Sequence, residues 1–477
     1  MRPHGPCAPL RAILLPALLL LLVAGCTTAT NPRTTSATAA AAPKNIIILY
    51  ADGTAATQFE VARYASRHLR NEPFAVTDVV LKTGTLGLLT THPHEAFATD
   101  SATTATTMST GVKTTIGAIG VGPDGQSLRT VMEAAKARGK RIGLVTTASV
   151  HDASPAAFSV HAKNRGDVQA IVDQYLALEP DVLLGGGAIH FRPEGAGGTR
   201  KDGRDIVAAF REKGYQIART PAELQAATGP RLLGLFDDGD LDFEIDRDPR
   251  TQPSMADMAA AAIRLLSQGS PNGFVLFLEN ENPDTASHRN DVASLIRDLW
   301  VFDRAVQHAL EFQRRTPGET LLLVTGDHET GGLSVTYAQK DMSTTSSRNR
   351  FYAAAAHLDL IKGITISHER AAERLGKTPT PEALDALLRE HFPGFRLDPD
   401  LREAILKQQM LERNFTYPTQ NALGRMVARQ TGFYWGTSGH TTEPIVVGAM
   451  GPGADAFHGY LDNTDFGKIL HRLLGGP

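Results

Sequence analysis

Short, continuous apolar runs that alternate with amphipathic segments are the feature that most constrains the fold of this chain. The runs are rich in Ile, Leu and Val, and they read NIIILY, RIGLVTTA, DVLLGGG, GFVLFLE, TLLLVTG and IVVGAMG. Between several of them lie helical patterns such as SLRTVMEAAKARG and SMADMAAAAIRLLSQG. Apolar strands that alternate with amphipathic helices are typical of a parallel sheet covered on both sides. The sequence therefore predicts an α/β fold with a mostly parallel central sheet and helices on both faces.

Length and charge limit the class of protein. A chain of 477 residues, 42% of them hydrophobic and 21% charged, can bury a large core, either as one α/β domain with insertions or as two domains. The formal net charge is -3 at pH 7, so no global positive field favours a nucleic acid as binding partner.

The first 25 residues have the pattern of a secretory signal. Arg2 and Arg11 flank the start of an apolar run that is too short for a membrane span. The run ends in VAGC, which resembles the lipobox of bacterial lipoproteins and implies cleavage before Cys26 and lipidation of its thiol. Plain signal cleavage is the alternative. Because Thr27 is not Asp, the resemblance implies an exported lipoprotein anchored to the outer membrane, facing the periplasm or the outside.

Residues 26–43 and the cysteine count set two further limits. Residues 27–43 are small, polar and interrupted by Pro, which predicts a flexible tether before a main domain at 44–477. Cys7 and Cys26 are the only cysteines in the sequence, and Cys7 lies in the signal segment. The mature chain therefore has no disulfide and no thiolate zinc site, so any metal must take oxygen and imidazole ligands.

Ionisable side chains follow four of the apolar runs. Asp52 comes after the first run, Glu279 ends another, and the pair Asp327–His328 comes after a third. The run RIGLVTTA is followed by a group with two further candidate ligands, Asp152 and Ser154. Ligands bind at the carboxyl ends of parallel strands, which meet at one edge of the sheet. Helix capping explains one or two of these residues, whereas metal binding explains them all.

Two more candidate ligand groups lie outside the strand ends. Asp284 and His288 are four residues apart behind Pro283, so a helix starting there would present both on one face. Such pairs are also common on helix surfaces. His440 precedes the last apolar run, where a polar loop residue is the alternative.

The segment DSATTATTMSTGVKTT, residues 100–115, places a serine directly after an acid. Ser101 is either a helix cap or a nucleophile on this evidence. The segment has no apolar stripe that would bury it as a core helix.

These segments together resemble alkaline phosphatases of bacteria and animals. The resemblance rests on DSATTAT with STGVKT, on HDASPAAFSVHAKNR, on LLGLFDDGDLDFEIDRDP and on DHETGG, and it resumes at His440. It implies an alkaline-phosphatase-like fold with a large insertion at 333–439, either a cap over the site, a subunit contact or a surface insertion. It also implies a metal-dependent phosphomonoesterase that acts on small phosphate monoesters, with nucleic acid at most a substrate, and a possible homodimer.

The resemblance also implies a two-zinc, one-magnesium site. The ligands of the first zinc would be Asp284, His288 and His440. The ligands of the second would be Asp52, Asp327 and His328, with Ser101 as an exchangeable ligand. The magnesium ligands would be Asp52, Ser154 and Glu279, with Asp152 supporting its waters. Ser101 would attack the ester and form a phosphoserine, Arg165 would grip the phosphate, and Asp100 would orient Arg165.

The chemistry requires these residue types. Two divalent cations about 4 Å apart can stabilise the attacking and leaving oxygens of an in-line displacement at phosphorus. The planar fork of Arg165 matches two phosphate oxygens, which favours monoesters. A phosphodiesterase or a sulfatase of the same fold is the alternative. Thr285, where relatives often carry Lys or His, departs from the family pattern, and this departure bears on phosphate affinity and turnover but not on the reaction class.

Overall fold

The structure is a computed structural model, and it describes residues 42–476. The predicted signal segment 1–25, Cys26 and the tether up to residue 41 lie outside the described residues, so export and lipid anchoring stay predictions. Within residues 42–476, no helix combines the length and the apolar character that crossing a membrane requires.

The described chain contains a ten-stranded sheet and three two-stranded ones. The strands are β1 Asn45–Ala51, β2 Thr85–Leu89, β3 Arg141–Ser149, β4 Val182–Gly186, β5 Gln216–Ala218, β6 Leu232–Leu235, β7 Phe274–Asn280, β8 Thr320–Thr325, β9 Glu329–Thr330, β10 Leu333–Val335, β11 Tyr337–Gln339, β12 Arg350–Tyr352, β13 Phe433–Trp435, β14 His440–Thr441, β15 Ile445–Met450 and β16 Gly459–Leu461. The large sheet has the order β16-β2-β15-β8-β1-β7-β3-β4-β6-β5.

One strand of the large sheet runs against the others. β15 is antiparallel to both of its neighbours, β2 and β8, while the remaining pairs are parallel. The amino end of β15 therefore lies at the same edge as the carboxyl ends of β1, β7 and β8. The prediction of a mostly parallel sheet is confirmed.

Helices cover both faces of this sheet. They are α1 Ala56–Ala65, α2 Ser101–Thr110, α3 Val131–Ala137, α4 Ala153–Ala157, α5 Val168–Leu178, α6 Ile206–Glu212, α7 Pro221–Ala226, α8 Met255–Ser267, α9 Asn282–His288, α10 Val292–Arg315, α11 Ala355–Lys362, α12 His368–Leu375, α13 Pro381–His391, α14 Pro399–Leu406, α15 Pro418–Thr431 and α16 Asn463–Leu473. Ile47 and Leu49 of β1 pack in one core with α1, α8 and α10. Ile46 and Ile48 pack in a second core with α2, α3, α5 and α16. Successive side chains of β1 thus point alternately into two apolar cores, which is why the run is apolar throughout.

Helix α2 differs from the expectation drawn from its sequence. It lacks an apolar stripe, yet Ser101 to Ser109 are all buried. The hydroxyls of Thr103, Thr106 and Thr107 donate to backbone carbonyl oxygens, so their burial leaves no donor unpaired. Because these side chains are small and their hydroxyls are hydrogen-bonded, the helix can lie in the interior without an apolar face.

The two ends of the segment 333–439 lie next to each other. β10 at its start pairs antiparallel with β13 near its end, and β11, β12 and α11 to α15 lie between. Apolar residues of α11 and α15 join the same core as Ile47. The roles of this segment as a cap or a subunit contact, and the homodimer, stay predictions.

Candidate active site and metal centre

The order of the central strands brings the predicted strand-end ligands together. β8, β1, β7 and β3 are consecutive neighbours in the sheet. Asp52 directly follows β1, Glu279 is opposite Tyr50 of β1 in the register, and Asp327 and His328 follow the end of β8 at Thr325. These side chains therefore meet at one edge of the sheet.

Asp327 and His328 both reach this edge although they are adjacent. They lie beyond the last residue of β8, where the strict alternation of a strand no longer applies. His328 Nε2 lies 3.1 Å from Asp327 Oδ2 and 3.8 Å from Asp52 Oδ1. All three side chains are buried. Asp327 Oδ1 accepts from the backbone N–H groups of Gly53 and His328, which fixes the carboxylate in place.

Three buried carboxylate oxygens at this edge accept no hydrogen bond. They are Asp52 Oδ1, Glu279 Oε1 and Asp327 Oδ2. Burial raises the pKa of Glu279 to about 8, and burial together with Asp284 raises that of Asp327 to about 7. The pKa of Asp52 is also raised, by burial first and then by Asp327. Buried carboxylate oxygens without hydrogen-bond partners are the kind of ligand that divalent cations require, and those of Asp52 and Asp327 lie within 4.8 Å of each other, so these residues fit a metal centre.

A second candidate group lies between α9 and β14. His288 Nε2 is 2.9 Å from Asp284 Oδ2 and 3.1 Å from His440 Nε2. Pro283 lies in the first turn of α9, as the sequence predicts, and the four-residue spacing puts Asp284 and His288 on one face. Burial would raise the pKa of Asp284, but His288 and His440 outweigh it and the pKa is lowered.

His440 reaches this group because of the antiparallel strand. It precedes β15, whose amino end lies at the carboxyl edge of the parallel strands. The ring of His440 stacks on that of His328 with centroids 3.6 Å apart. One ligand atom each of Asp284, His328 and His440 lie within 4.8 Å of one another, and so do those of Asp52, Asp327 and His328. His328 is therefore in reach of both groups.

Each of the three imidazoles has its Nδ1 atom engaged by a group that is not itself a candidate metal ligand. Nδ1 of His288 contacts Ser438 O at 2.6 Å, and Nδ1 of His440 contacts Thr99 O at 2.8 Å. Nδ1 of His328 contacts Thr330 Oγ1 at 3.3 Å. Backbone carbonyls accept from Nδ1–H, which leaves the Nε2 lone pair for the cluster, as metal-binding histidines require.

Ser101 is the first residue of α2, and the cap is its neighbour. Asp100 accepts from the backbone N–H of Thr103 at 3.1 Å and is the N-cap. The hydroxyl of Ser101 is thus free of the capping role, and its Oγ lies 3.2 Å from His328 Nε2. The positive end of the α2 dipole lies beside this oxygen and favours an anion there.

Arg165 is held by two acids. Its Nη2 donates to Asp152 Oδ1 at 2.9 Å and its Nη1 to Asp100 Oδ2 at 3.4 Å. Burial alone would lower the pKa of Arg165, but Asp152 and then Asp100 raise it, so the guanidinium is firmly charged. The contact with Asp100 agrees with the expected geometry. The shorter contact with Asp152, which was expected to support magnesium waters, was not predicted.

The remaining predicted ligands and several unpredicted side chains complete the site. Ser154 Oγ lies 3.4 Å from Asp52 Oδ2, and Thr146 Oγ1 donates to Glu279 Oε2 at 2.5 Å. Thr330 contacts both Asp284 and His328. Neither threonine was predicted, although Thr330 lies within the quoted DHETGG motif. The structure thus gathers every predicted site residue at one edge of the sheet, while their roles stay predictions.

Comparison with known proteins points to one family. The alkaline phosphatase family model matches residues 43–475. Alkaline phosphatase 3 of Bacillus subtilis is 31% identical over 445 residues, covering 90% of this chain and 89% of that protein. The repressible alkaline phosphatase of Saccharomyces cerevisiae is 31% identical over 469 residues, covering 90% and 81%.

Solved structures point the same way. The alkaline phosphatase of Thermus thermophilus superposes with a TM-score of 0.81 at 29% identity, covering 94% of this chain and 96% of that one. The match extends over nearly all of the described residues, the sheet and the insertion included. With a family model matching almost end to end and candidate metal ligands gathered beside a free serine, the chain belongs to the alkaline phosphatase family and is a phosphoric monoester hydrolase.

Proposed function

We propose that this enzyme hydrolyses phosphate monoesters through a phosphoserine at Ser101, beside a site for two zinc ions and one magnesium ion. One observation carries the proposal: the Ser101 hydroxyl lies 3.2 Å from His328 Nε2, beside buried carboxylate oxygens that accept no hydrogen bond. An apolar or merely structural role would not leave such oxygens unpartnered.

The donor chemistry supports a division of the ligands by metal. Imidazole with carboxylate suits zinc, and oxygen alone suits magnesium. One zinc would be held by Asp284, His288 and His440, and the other by Asp52, Asp327 and His328 with Ser101. Magnesium would be held by Asp52, Ser154 and Glu279, with Asp152 in reach of its waters. When bound, these cations supply charge neutralisation and lower the pKa of the serine hydroxyl.

The chain's own residues account for binding and attack. Arg165 offers two N–H groups to two non-bridging oxygens of the phosphate, and the first N–H groups of α2 point at the same anion. Ser101 Oγ forms a bond to phosphorus as the bond from phosphorus to the ester oxygen breaks. The hydroxyl proton goes to solvent, and the leaving alcohol takes a proton from water. A water molecule then cleaves the phosphoserine, which releases inorganic phosphate and restores Ser101.

Substrate comparison and metal analysis test the reaction together. We expect turnover of p-nitrophenyl phosphate to exceed that of the bis ester and of the sulfate, to vanish in EDTA, and to return with zinc and magnesium. Metal analysis of the purified protein should find about two zinc ions and one magnesium ion per chain. Faster turnover of the diester or sulfate, or full activity without metal, would contradict the proposal.

Replacing the nucleophile tests the phosphoserine. Ser101→Ala should retain its metals and lose turnover by more than about 1,000-fold, because no other group can form the covalent intermediate. Ser294→Ala is the control, since Ser294 is also buried but donates to Asp291 at 2.7 Å on α10. A Ser101→Ala enzyme as active as the control would exclude Ser101 as the attacking group.

Anchoring outside the cytoplasm is a separate proposal, supported by the VAGC pattern at residues 23–26. Labelling with a radioactive fatty acid should mark the protein in the membrane fraction. The Cys26→Ser variant should carry no label.

A further inference from the structure

Thr330 lies between the two candidate zinc groups and contacts both. Its hydroxyl donates to Asp284 Oδ1, and the oxygen of this hydroxyl, Thr330 Oγ1, lies 3.3 Å from Nδ1 of His328. The side chain is fully buried. Asp284 is assigned to one zinc and His328 to the other, so a single hydroxyl connects a ligand of each.

The backbone of Thr330 is fixed from three directions. In the β9–β14 pair, Thr330 is opposite His440, a third candidate ligand. Its N–H donates to Gly53 O at 3.1 Å, next to Asp52, and its carbonyl accepts from Gln58 Nε2 at 3.3 Å. The hydroxyl is therefore held in place relative to both groups, and not carried on a mobile loop.

The hydrogen-bond inventory of a hydroxyl determines what it does here. A threonine hydroxyl has one proton to donate and two lone pairs to accept with. Because the proton is directed to the carboxylate of Asp284, the oxygen can only accept from His328 Nδ1. His328 must then carry its proton on Nδ1, which leaves the Nε2 lone pair facing Ser101 and Asp327.

We propose that Thr330 is a positioning residue that couples the two zinc groups, by fixing the tautomer of His328 and the orientation of Asp284 with one hydroxyl. The inference rests on the proposed function, since it concerns the ligands assigned there. Groups that orient metal ligands in this way contribute about 10- to 100-fold to metal affinity.

Packing is the alternative role for a buried threonine, and two substitutions separate the roles. Thr330→Val keeps the branched shape and removes the hydroxyl, whereas Thr330→Ser keeps the hydroxyl and removes the methyl group. A positioning role predicts that Ser behaves as wild type and Val does not, and a packing role predicts the reverse.

The measurement is zinc affinity by chelator competition, with zinc alone as the probe and each purified full-length variant freed of metal. We expect Thr330→Val to weaken zinc binding by about 10- to 100-fold and Thr330→Ser to stay within about threefold of wild type. The matched control is Thr325→Val, since Thr325 is also fully buried at the end of β8 but donates to Val446 O at 2.9 Å. Thr325→Val should lose stability and keep wild-type zinc affinity.

If Thr330→Val does not fold, the pair Thr330→Ala and Thr330→Ser carries the test, because both lack the methyl group and they differ only in the hydroxyl. Equal zinc affinity within that pair, or wild-type affinity in Thr330→Val, would overturn the role of Thr330 alone. A wild-type protein that binds no zinc would overturn the proposed function as well.

Discussion

The pKa values of the acids are shifted in opposite directions in the two halves of the site. The strand-end half combines three carboxylates, those of Asp52, Glu279 and Asp327, with the single imidazole of His328. Burial and mutual repulsion raise the pKa values of its acids, and burial with the nearby His440 lowers that of His328. The α9 half combines one carboxylate, Asp284, with two imidazoles, and the pKa of Asp284 is lowered while that of His288 is raised despite burial.

This difference predicts that the two halves depend on bound cations to different extents for their stability. Without cations, the strand-end half keeps its acids together only because the sheet holds them there, whereas the α9 half compensates its own charge. Bound cations should therefore stabilise the strand-end half far more. The α9 half depends on the loop that ends the 333–439 segment, since Ser438 O orients His288.

Removing one carboxylate from each half should have opposite effects on the stability of the EDTA-treated protein. Asp327→Asn should raise the free energy of unfolding by about 1–3 kcal/mol at pH 8, because one buried negative charge is lost and the new amide can donate to His328. Asp284→Asn should lower it by about 1–3 kcal/mol, because His288 and His440 lose their ionised partner. Both variants should lose activity by more than about 100-fold, since each removes a proposed metal ligand. Urea unfolding of the two variants beside wild type measures the difference, and two shifts of the same sign would contradict it.

Replacing Arg165, the positively charged side chain beside the strand-end half, by lysine should lower activity although the charge is kept. Arg165→Lys should lower kcat/KM for p-nitrophenyl phosphate by about 10- to 100-fold, because Lys cannot offer a two-point contact to the phosphate. The loss should be smaller for the bis ester, which lacks the dianionic end. A comparable loss with both esters would mean that Arg165 serves the structure of the site and not monoester recognition.

The raised acids predict how the metal-free protein responds to pH. Glu279 and Asp327 have folded-state pKa values of about 8 and about 7, above their unfolded values, so the folded state binds more protons between about pH 4 and 8. The stability of EDTA-treated protein should therefore fall as pH rises through this window, by up to about 1.4 kcal/mol per pH unit for each proton. Metal-loaded protein should not show this fall above pH 6. Thermal unfolding at pH 5.5 and pH 8 with and without EDTA distinguishes the two, and equal stabilities without metal would contradict the raised pKa values.

Glu281 should have the smallest effect. Its carboxylate accepts from Thr285 at 2.5 Å, next to Asp284, and burial and then Asp240 raise its pKa well above the usual range. Glu281→Gln should tighten inhibition by inorganic phosphate by about 3- to 10-fold at alkaline pH, because a negative charge beside Asp284, a proposed metal ligand, is removed. Glu443→Gln, a half-buried acid between β14 and β15, is the control. Unchanged inhibition constants would mean that Glu281 does not act on the phosphate.

The fold was predictable from sequence because the strands are apolar on both faces. The runs that contain Ile47 and Leu276 form neighbouring central strands, as a two-sided apolar pattern requires. The helix α2 was less predictable, because its burial depends on threonine hydroxyls bonding to distant carbonyls such as Ala118 O. No periodicity in the segment itself signals that these partners exist.

The candidate site was predictable in its members and less so in its arrangement. Asp52, Glu279 and Asp327 stand at the ends of apolar runs, and the polarity of parallel strands places such residues at one edge. The contact of Arg165 with Asp152 could not be read in this way, since it depends on how the connection between β3 and β4 folds back on itself. The bridging position of Thr330 could not be read either, since it joins the segment after β8 to Asp284 in the connection before β8.

By itself, the sequence determined which residue types stand where strands end, because a strand buried on both faces must be apolar and an acid can follow only where it stops. It also determined that any metal in the main domain would bind through oxygen and imidazole, since residues 44–477 contain no cysteine. The tertiary structure alone decided which of these residues lie close enough together to share a cation, because that depends on strand order. It also decided that His440 lies beside the candidate ligands that follow β1 and β8, although His440 precedes its own strand. The reason is that β15 runs antiparallel and brings its amino end to the edge where the other strands end.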